Sequence, residues 1–332
     1  MNEAYEYRAR PAHSRQCDVF NGDADGIFAL HQLRLAMPLD STLVTGTKRD
    51  IALLARVSAQ ANDHVTVLDI SLDSNRDALD QLLSRGVFVD YFDHHFAGRV
   101  PTSPWLAAHL DAAPDVCTSL LVDRHLGGAY RRWAIAAAFG DGLGRRASEL
   151  AREAALGDDA QRQLRALGEA VNYNAYGDSV ADLIVAPEAM VAALRPYADP
   201  FEFIAATPWL CELDAARNDD LARAMQQRPW YEWAGGSVYL LPDAAWARRV
   251  RGVFGNALAE SHPQRTHAVL TPCGGGCYVA SVRAPLAAPR GADALCRGFG
   301  GNGRAGAAGI DALPAAQTDA FIAALARAFA AP

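Results

Sequence analysis

The sequence contains no apolar run of about 18 residues, so no segment of it reads as a membrane-spanning helix. Residues Met1 to Gln16 are polar and mixed in charge, without the basic-then-apolar order of a secretion signal. No paired cysteine pattern stands out either. Cys17, Cys117, Cys211, Cys273, Cys277 and Cys296 are scattered in a way that suits reduced thiols better than a disulfide framework, and the chain reads as cytoplasmic. Lysine is almost missing: of 31 cationic residues only Lys48 is not arginine, a bias that fits the coding composition of a genome as readily as a need for guanidinium forks. An excess of positive charge is missing too, and the net charge of −7 argues against a protein that coats nucleic acid through its whole surface. The cations are uneven, however. Between Asp243 and Arg304, eight arginines stand against three acidic residues, which puts a local basic surface on an acidic protein.

What is present describes a folded chain. Hydrophobic residues make up 51% and charged residues 21% of 332 residues, and a chain of this length favours two domains, at about 150 residues each. In the first half, short apolar strands alternate with amphipathic helices, the pattern of a parallel α/β sheet with helices on both faces. Strands are expected at Cys17 to Asn21, Thr42 to Thr45, Val65 to Ile70 and Val87 to Phe92, with helices at Ile27 to Ala36, Arg49 to Ala59 and Asn75 to Ser84. Helical patterning then dominates to about Leu183. Strand patterning returns after Ser237 and predicts a smaller α+β domain closed by an alanine-rich helix from Gln317 to Ala330.

In an open α/β sheet the ligand site lies beyond the carboxyl ends of the strands. Asp23 and Asp25 follow the first strand, Asp69 ends the third, and Asp93, His94 and His95 follow the fourth. Each feature alone has a structural explanation: an Asp-x-Asp-Gly turn, a capping aspartate, a surface histidine pair. Their coincidence at three strand ends, in order, points to chemistry. Clustered carboxylates repel one another and take up protons unless a cation joins them, and oxygen donors with one or two imidazoles suit Mn²⁺ or Mg²⁺ better than zinc. Lys48 and Arg49, opening the helix after the second strand, are read as touching phosphate at the edge of that site or as capping charge. Cys273-Gly-Gly-Gly-Cys277 falls short of a four-ligand zinc site and reads as a glycine turn flanked by buried thiols.

Asn21-Gly22-Asp23-Ala24-Asp25-Gly26, Val67-Leu68-Asp69-Ile70 and Tyr91-Phe92-Asp93-His94-His95 resemble the first three motifs of the DHH phosphoesterase superfamily. That superfamily includes RecJ-type exonucleases, nanoRNases, cyclic-dinucleotide phosphodiesterases and manganese-dependent pyrophosphatases. Its fourth motif, an aspartate after a helix, is best matched by Asp141, with Asp123 and Asp178 as alternatives. The run from Phe299 to Gly309 resembles the glycine-rich substrate loop of the DHHA1 domain, and Ser281-Val282-Arg283 the strand that presents an arginine to substrate.

The resemblance implies a DHH catalytic domain over 15–185, a helical connecting region over 186–234 and a DHHA1-like substrate-binding domain over 235–332. It implies two Mn²⁺ ions, or Mg²⁺ in their place, with Asp69 bridging, Asp23 holding the first, and Asp25, His94 and Asp141 holding the second. His95 would face the scissile phosphate and Asp93 would steady the histidines. Arg283, Gly301, Asn302, Gly303 and Arg304 would bind a short single-stranded oligonucleotide or a linear or cyclic dinucleotide, in a monomer or homodimer. Two departures stand out. Many relatives carry histidine where this chain has Val19, although the RecJ-like members also lack it, and the glycine-rich loop has Arg304 in place of the family's histidine. The implied activity is phosphodiester hydrolysis, and the alternative is a non-catalytic nucleotide sensor with a degraded metal site.

Overall fold

The computed structural model describes residues 14–330, and the chain divides into two compact units at Asp214/Ala215. In the first unit, β1 (Gln16–Phe20), β2 (Thr42–Val44), β3 (His64–Leu68), β4 (Phe88–Asp93) and β5 (Leu106–Leu110) form one sheet in the order β2-β1-β3-β4-β5. Every pairing in it is parallel. Helices α1 (Ala24–Ala36), α2 (Arg76–Ser84), α3 (Thr118–His125), α4 (Arg131–Gly140), α5 (Gly144–Glu153) and α6 (Asp158–Asn174) follow the strands, and α7 (Pro187–Leu194), α8 (Pro200–Ala206) and α9 (Trp209–Met225) come after them. The unit boundary falls within α9.

Alternation along the strands makes two cores. Phe20, Leu68 and Phe92 pack with α1, α3, α4 and α6 on one face of the sheet. Val19, Val67 and Tyr91, one residue earlier on each strand, pack with Leu79 and Leu82 of α2 on the other. Both faces are therefore covered, as a parallel sheet requires, and the loops at the strand ends are the surface left for a ligand. Backbone hydrogen bonds carry the sheet one residue past its strands there: Asn21 N–H donates to the Leu68 carbonyl at 3.2 Å and Asp69 N–H to that of Phe92 at 3.1 Å.

The second unit holds β6 (Tyr231–Trp233), β7 (Gly236–Leu240), β8 (Thr266–Cys273), β9 (Cys277–Arg283), β10 (Asn302–Arg304) and β11 (Ala307–Pro314), ordered β10-β11-β9-β8-β7-β6. Only β7 and β8 pair in parallel, joined through α10 (Ala245–Ser261). Two further helices, α11 (Ala292–Arg297) and α12 (Thr318–Ala328), complete the unit, with Phe321 and Leu325 of α12 buried beside Val282 and Ile310.

Three local expectations change. The helix expected from Arg49 to Ala59 is a single 3-10 turn, Leu53–Arg56. Side chains hold that loop instead: Asn75 Nδ2 donates to the Ile51 carbonyl at 2.7 Å, and Asn75 Oδ1 accepts from Leu54 N–H at 3.2 Å. The edge strand β5 carries little apolar patterning and was not expected. Cys273 and Cys277 are partly exposed rather than buried and bonded to each other rather than reduced, because the glycine turn sets them directly opposite across the β8–β9 hairpin with Cα atoms 5.3 Å apart. Among the described residues, no helix is long and apolar enough to cross a membrane.

One close approach matters for the site. A Cβ on Gly168 of α6 would lie 1.9 Å from the Ala136 carbonyl oxygen of α4, so the two helices pack backbone to backbone. That contact sets the end of α4, where Asp141 is the C-cap, beside α6. Gly168→Ala is expected to lower unfolding free energy by about 1–3 kcal/mol through overpacking, measured by urea denaturation. A change within roughly 0.5 kcal/mol, the scale of a neutral surface substitution, would mean that the helices part without cost.

Candidate metal centre

Three strand ends and one helix end converge. After β1, Asp23 caps α1: its Oδ1 accepts from the N–H groups of Asp25 and Gly26 at 3.0 and 3.1 Å. Asp25, in the first turn of α1, accepts from Thr118 N–H and Ser119 N–H at 2.7 Å each, so the N-terminus of α3 is aimed at its carboxylate. Asp69 follows β3 with a left-handed backbone, φ 60°, uncommon for a residue with a Cβ. Its Oδ1 accepts from Thr118 Oγ1 at 3.1 Å and lies 3.5 Å from His94 Nε2. Asp141, capping the C-terminus of α4, brings Oδ2 to 3.8 Å from the same His94 nitrogen.

These residues form two overlapping donor groups. Asp69, His94 and His95 offer ligand atoms within 4.8 Å of one another, and so do Asp25, His94 and Asp141. His94 is common to both. Asp93 is fully buried and its Oδ1 pairs with His95 Nδ1 at 2.7 Å, which fixes the ring and leaves Nε2 for another partner. Of the alternatives for the fourth aspartate, Asp123 pairs with Arg131 at 3.1 Å, and the Asp178 N–H donates to the Asp182 carboxylate at 3.0 Å.

Sequence reasoning missed how Lys48 is used. It opens no helix; its ammonium sits 2.5 Å from Asp23 Oδ2, 3.0 Å from Asn172 Oδ1 of α6 and 3.6 Å from Asp141 Oδ1. Its being the one lysine in the chain was the available signal. The roles of Thr118 and Ser119 had no signal in the sequence, since they depend on how α3 docks on α1.

The electrostatics follow from crowding. Burial and the charges of Asp25, Asp23 and Asp141 push the Asp69 carboxyl well above the usual range. Burial and Asp25 push Asp141 up to about 6. Asp23 goes the other way: burial opposes its charge, but the charge and hydrogen bond of Lys48 outweigh that and hold it low. Burial would depress His95, yet the bond and charge of Asp93 raise it. A buried set of oxygen and imidazole donors that must otherwise hold protons fits a hard divalent ion.

In the second unit, the Arg283 guanidinium is engaged within the unit, by Asn256 Oδ1 at 2.6 Å, Ser281 Oγ at 2.9 Å and the Gly252 carbonyl at 3.3 Å. Asn302, Gly303 and Arg304 form the exposed edge strand β10. The glycines there answer to the neighbouring strand: a Cβ on Gly303, at φ 146°, would lie 2.4 Å from Ala308 Cα, and one on Gly301 2.2 Å from the Gly309 carbonyl oxygen. The run is thus a tight hairpin with β11 that displays Arg304.

The raised Asp141 predicts a pH effect in chelator. Its carboxyl titrates at about 6 when folded and at about 4 when unfolded. Between those values the folded chain holds the extra proton, so stability falls as pH rises through that window. Asp69, whose carboxyl is also raised, adds to the same slope, so Asp141→Asn, which cannot titrate, should make the slope between pH about 4 and 6 shallower without abolishing it, measured by urea denaturation at a series of pH values. An unaltered slope would place the extra proton on another group.

No protein-family model matches the chain, and no curated protein matches it in sequence. Solved structures do match. A RecJ exonuclease bound to manganese is similar over 96% of this chain and 91% of its own, at 19% identity and a TM-score of 0.62. RecJ from Thermus thermophilus in complex with Mn²⁺ shares 23% identity at TM-score 0.62 over 96% of this chain, which spans only 52% of that longer protein. The DHH domain of a protein assigned to a family of ribosomal proteins gives TM-score 0.66 at 12% identity, covering 95% of this chain and 86% of the other. A pGpG-specific phosphodiesterase from Vibrio cholerae gives 0.54 at 13%, over 95% and 99%. At these identities the likeness is one of architecture: the chain shares the fold of RecJ and of that DHH domain.

Proposed function

We propose that the protein is a metal-dependent phosphodiesterase acting on short oligonucleotides or dinucleotides. The observation that carries this reading is the convergence of Asp25, Asp69, Asp141, His94 and His95 into two overlapping donor groups at the carboxyl ends of parallel strands. The similar structures include an exonuclease bound to manganese and a phosphodiesterase specific for pGpG, which supports both Mn²⁺ and a nucleotide substrate.

Asp25, Asp69, His94 and Asp141 hold the metal in this reading, with Asp69 at the centre of the cluster. A divalent ion bound there lowers the pKa of a coordinated water and offsets charge on the phosphoryl oxygens. His95 is anchored through Nδ1 to Asp93 and is 44% exposed, so its Nε2–H faces substrate and can donate to a phosphoryl oxygen or to the leaving alkoxide. Thr118 Oγ1–H orients the Asp69 carboxylate. In the second unit, Arg304 and the backbone of Gly301, Asn302 and Gly303 grip a terminal phosphate or sugar, while Arg283 braces the strand behind them.

Hydrolysis of bis-p-nitrophenyl phosphate and of pGpG with Mn²⁺, and its loss in chelator, tests the reading. Asp69→Asn should lower kcat by roughly a thousandfold or more, on the scale of removing a principal charge stabiliser, and weaken Mn²⁺ binding in parallel. Near-normal turnover by a folded Asp69→Asn chain would end the assignment. Tight pGpG binding without turnover by the wild type would instead favour the non-catalytic sensor.

Arg304→Ala separates the substrate grip from the chemistry. Loss of a charge-assisted contact of about 1.5–3 kcal/mol should raise KM for a phosphorylated dinucleotide roughly ten- to hundredfold, with kcat on the small chromogenic diester unchanged. Equal losses on both substrates would assign Arg304 to the fold.

A further inference from the structure

The ammonium of Lys48 lies inside the carboxylate cluster rather than at its rim. It contacts acceptors from three elements: Asp23 at the start of α1, Asn172 on α6 and Asp141 at the end of α4. The lysine backbone is tied down as well, its N–H donating to the Ala175 carbonyl at 3.0 Å and its carbonyl accepting from Asn21 Nδ2 at 3.5 Å. Asp141 is divided between two partners, Oδ1 toward Lys48 and Oδ2 toward His94.

Asp23 differs from Asp25 in what its carboxylate faces: Asp25 accepts from backbone N–H groups at its two oxygens, whereas Asp23 Oδ2 faces a cation. Asp23 Oδ1 is committed to the N-terminus of α1 and Oδ2 to Lys48, so a metal at Oδ2 would compete with the ammonium. Nothing nearby on β1 replaces it: Val19 is fully buried in the apolar face of the sheet with Val65 and Val67 and offers no donor. The choice of residue points the same way. Every other cationic side chain in this sequence is arginine, yet this position has lysine. A compact ammonium with three diverging N–H donors suits three acceptors on separate elements, whereas a planar guanidinium fork does not.

We propose that the Lys48 ammonium takes the place of one of the two cations, so that the centre binds a single divalent ion through Asp25, Asp69, His94 and Asp141, with Asp23 as the counter-ion of the lysine. The proposal rests on the metal-dependent reading above. A fixed ammonium offsets carboxylate charge and can pair with a phosphoryl oxygen, but it has no vacant orbital to bind water. The water activated for attack therefore belongs to the one ion, and Lys48 contributes charge without Lewis acidity.

Counting Mn²⁺ on the full-length chain tests this, by calorimetric titration and by the electron paramagnetic resonance signal of free Mn²⁺. The wild type should bind one ion. Lys48→Met keeps the stem and removes the charge; it should bind two, the new ion roughly tenfold or more weaker than the first because no imidazole joins Asp23. Asp23→Asn retains the cap on α1 and should still bind one ion.

Two ions on the wild-type chain would overturn the proposal, as would a folded Lys48→Met chain that still binds one. Should Lys48→Met fail to fold, the wild-type count and Asp23→Asn decide, and loss of the ion in Asp23→Asn overturns it. The failures are distinguishable. Two ions with normal hydrolysis would remove only the role of Lys48, whereas no Mn²⁺ binding and no hydrolysis would remove the phosphodiesterase reading itself.

Discussion

Four carboxylates meeting in a small, mostly buried volume are the constraint around which the first unit is organised. Asp23, Asp25, Asp69 and Asp141 lie close enough for each of the others to raise the proton affinity of Asp69, and water is largely excluded from Asp23, Asp25 and Asp69. Such a cluster is unstable unless the surroundings supply positive potential. The fold does so with different means at each member: two N–H groups of α1 on Asp23, two of α3 on Asp25, a hydroxyl donor on Asp69, and an ammonium shared by Asp23 and Asp141. These neutral dipoles and one cation leave a deficit, and that deficit is what a divalent ion can make up.

The sheet makes the convergence possible. Parallel strands point their carboxyl ends the same way, so residues far apart in sequence (Asp23, Asp69, His94) arrive at one edge without special loops. Helices α4 and α6 then bring Asp141 and Asn172 to that edge, and their bare contact at Gly168 allows it. The left-handed turn at Asp69 is the local cost, of order 1–3 kcal/mol for such a backbone, and it lies at a residue that faces Thr118, His94 and His95. A strained position here is consistent with geometry set by the site rather than by chain packing.

The architecture was legible because strand and helix periods differ and because Val19/Phe20, Val67/Leu68 and Tyr91/Phe92 alternate between two cores. The order of Asp23, Asp25, Asp69 and His94 at strand ends singled them out, and Asp141 came from its resemblance to a motif after a helix; the fold brings these side chains together. Where the sequence misled, a tertiary contact had replaced a local rule. The segment after β2 has helix-compatible composition, but the side chain of Asn75 and the tie from Lys48 to Ala175 hold it as a loop. The glycine-rich run after Phe299 suggests close approach to a ligand, and close approach is what it makes, to the backbone of β11. The cysteine pair around Gly274 to Gly276 was read without its hairpin, which brings the two sulfurs together.

The four carboxylates are not equivalent, and their inequality shapes how a cation enters. Lys48 keeps Asp23 ionised, whereas Asp69 and Asp141, with less compensation, hold protons more strongly than ordinary aspartates. In the metal-dependent reading, an ion arriving at Asp69 displaces a proton, so its binding is coupled to pH, and affinity rises as the solution becomes less acidic. The same displacement turns a strained, protonated cluster into a paired one. Metal binding and the relief of carboxylate repulsion are then a single event, and the free energy that folding spends in gathering the aspartates is recovered in part when the ion binds.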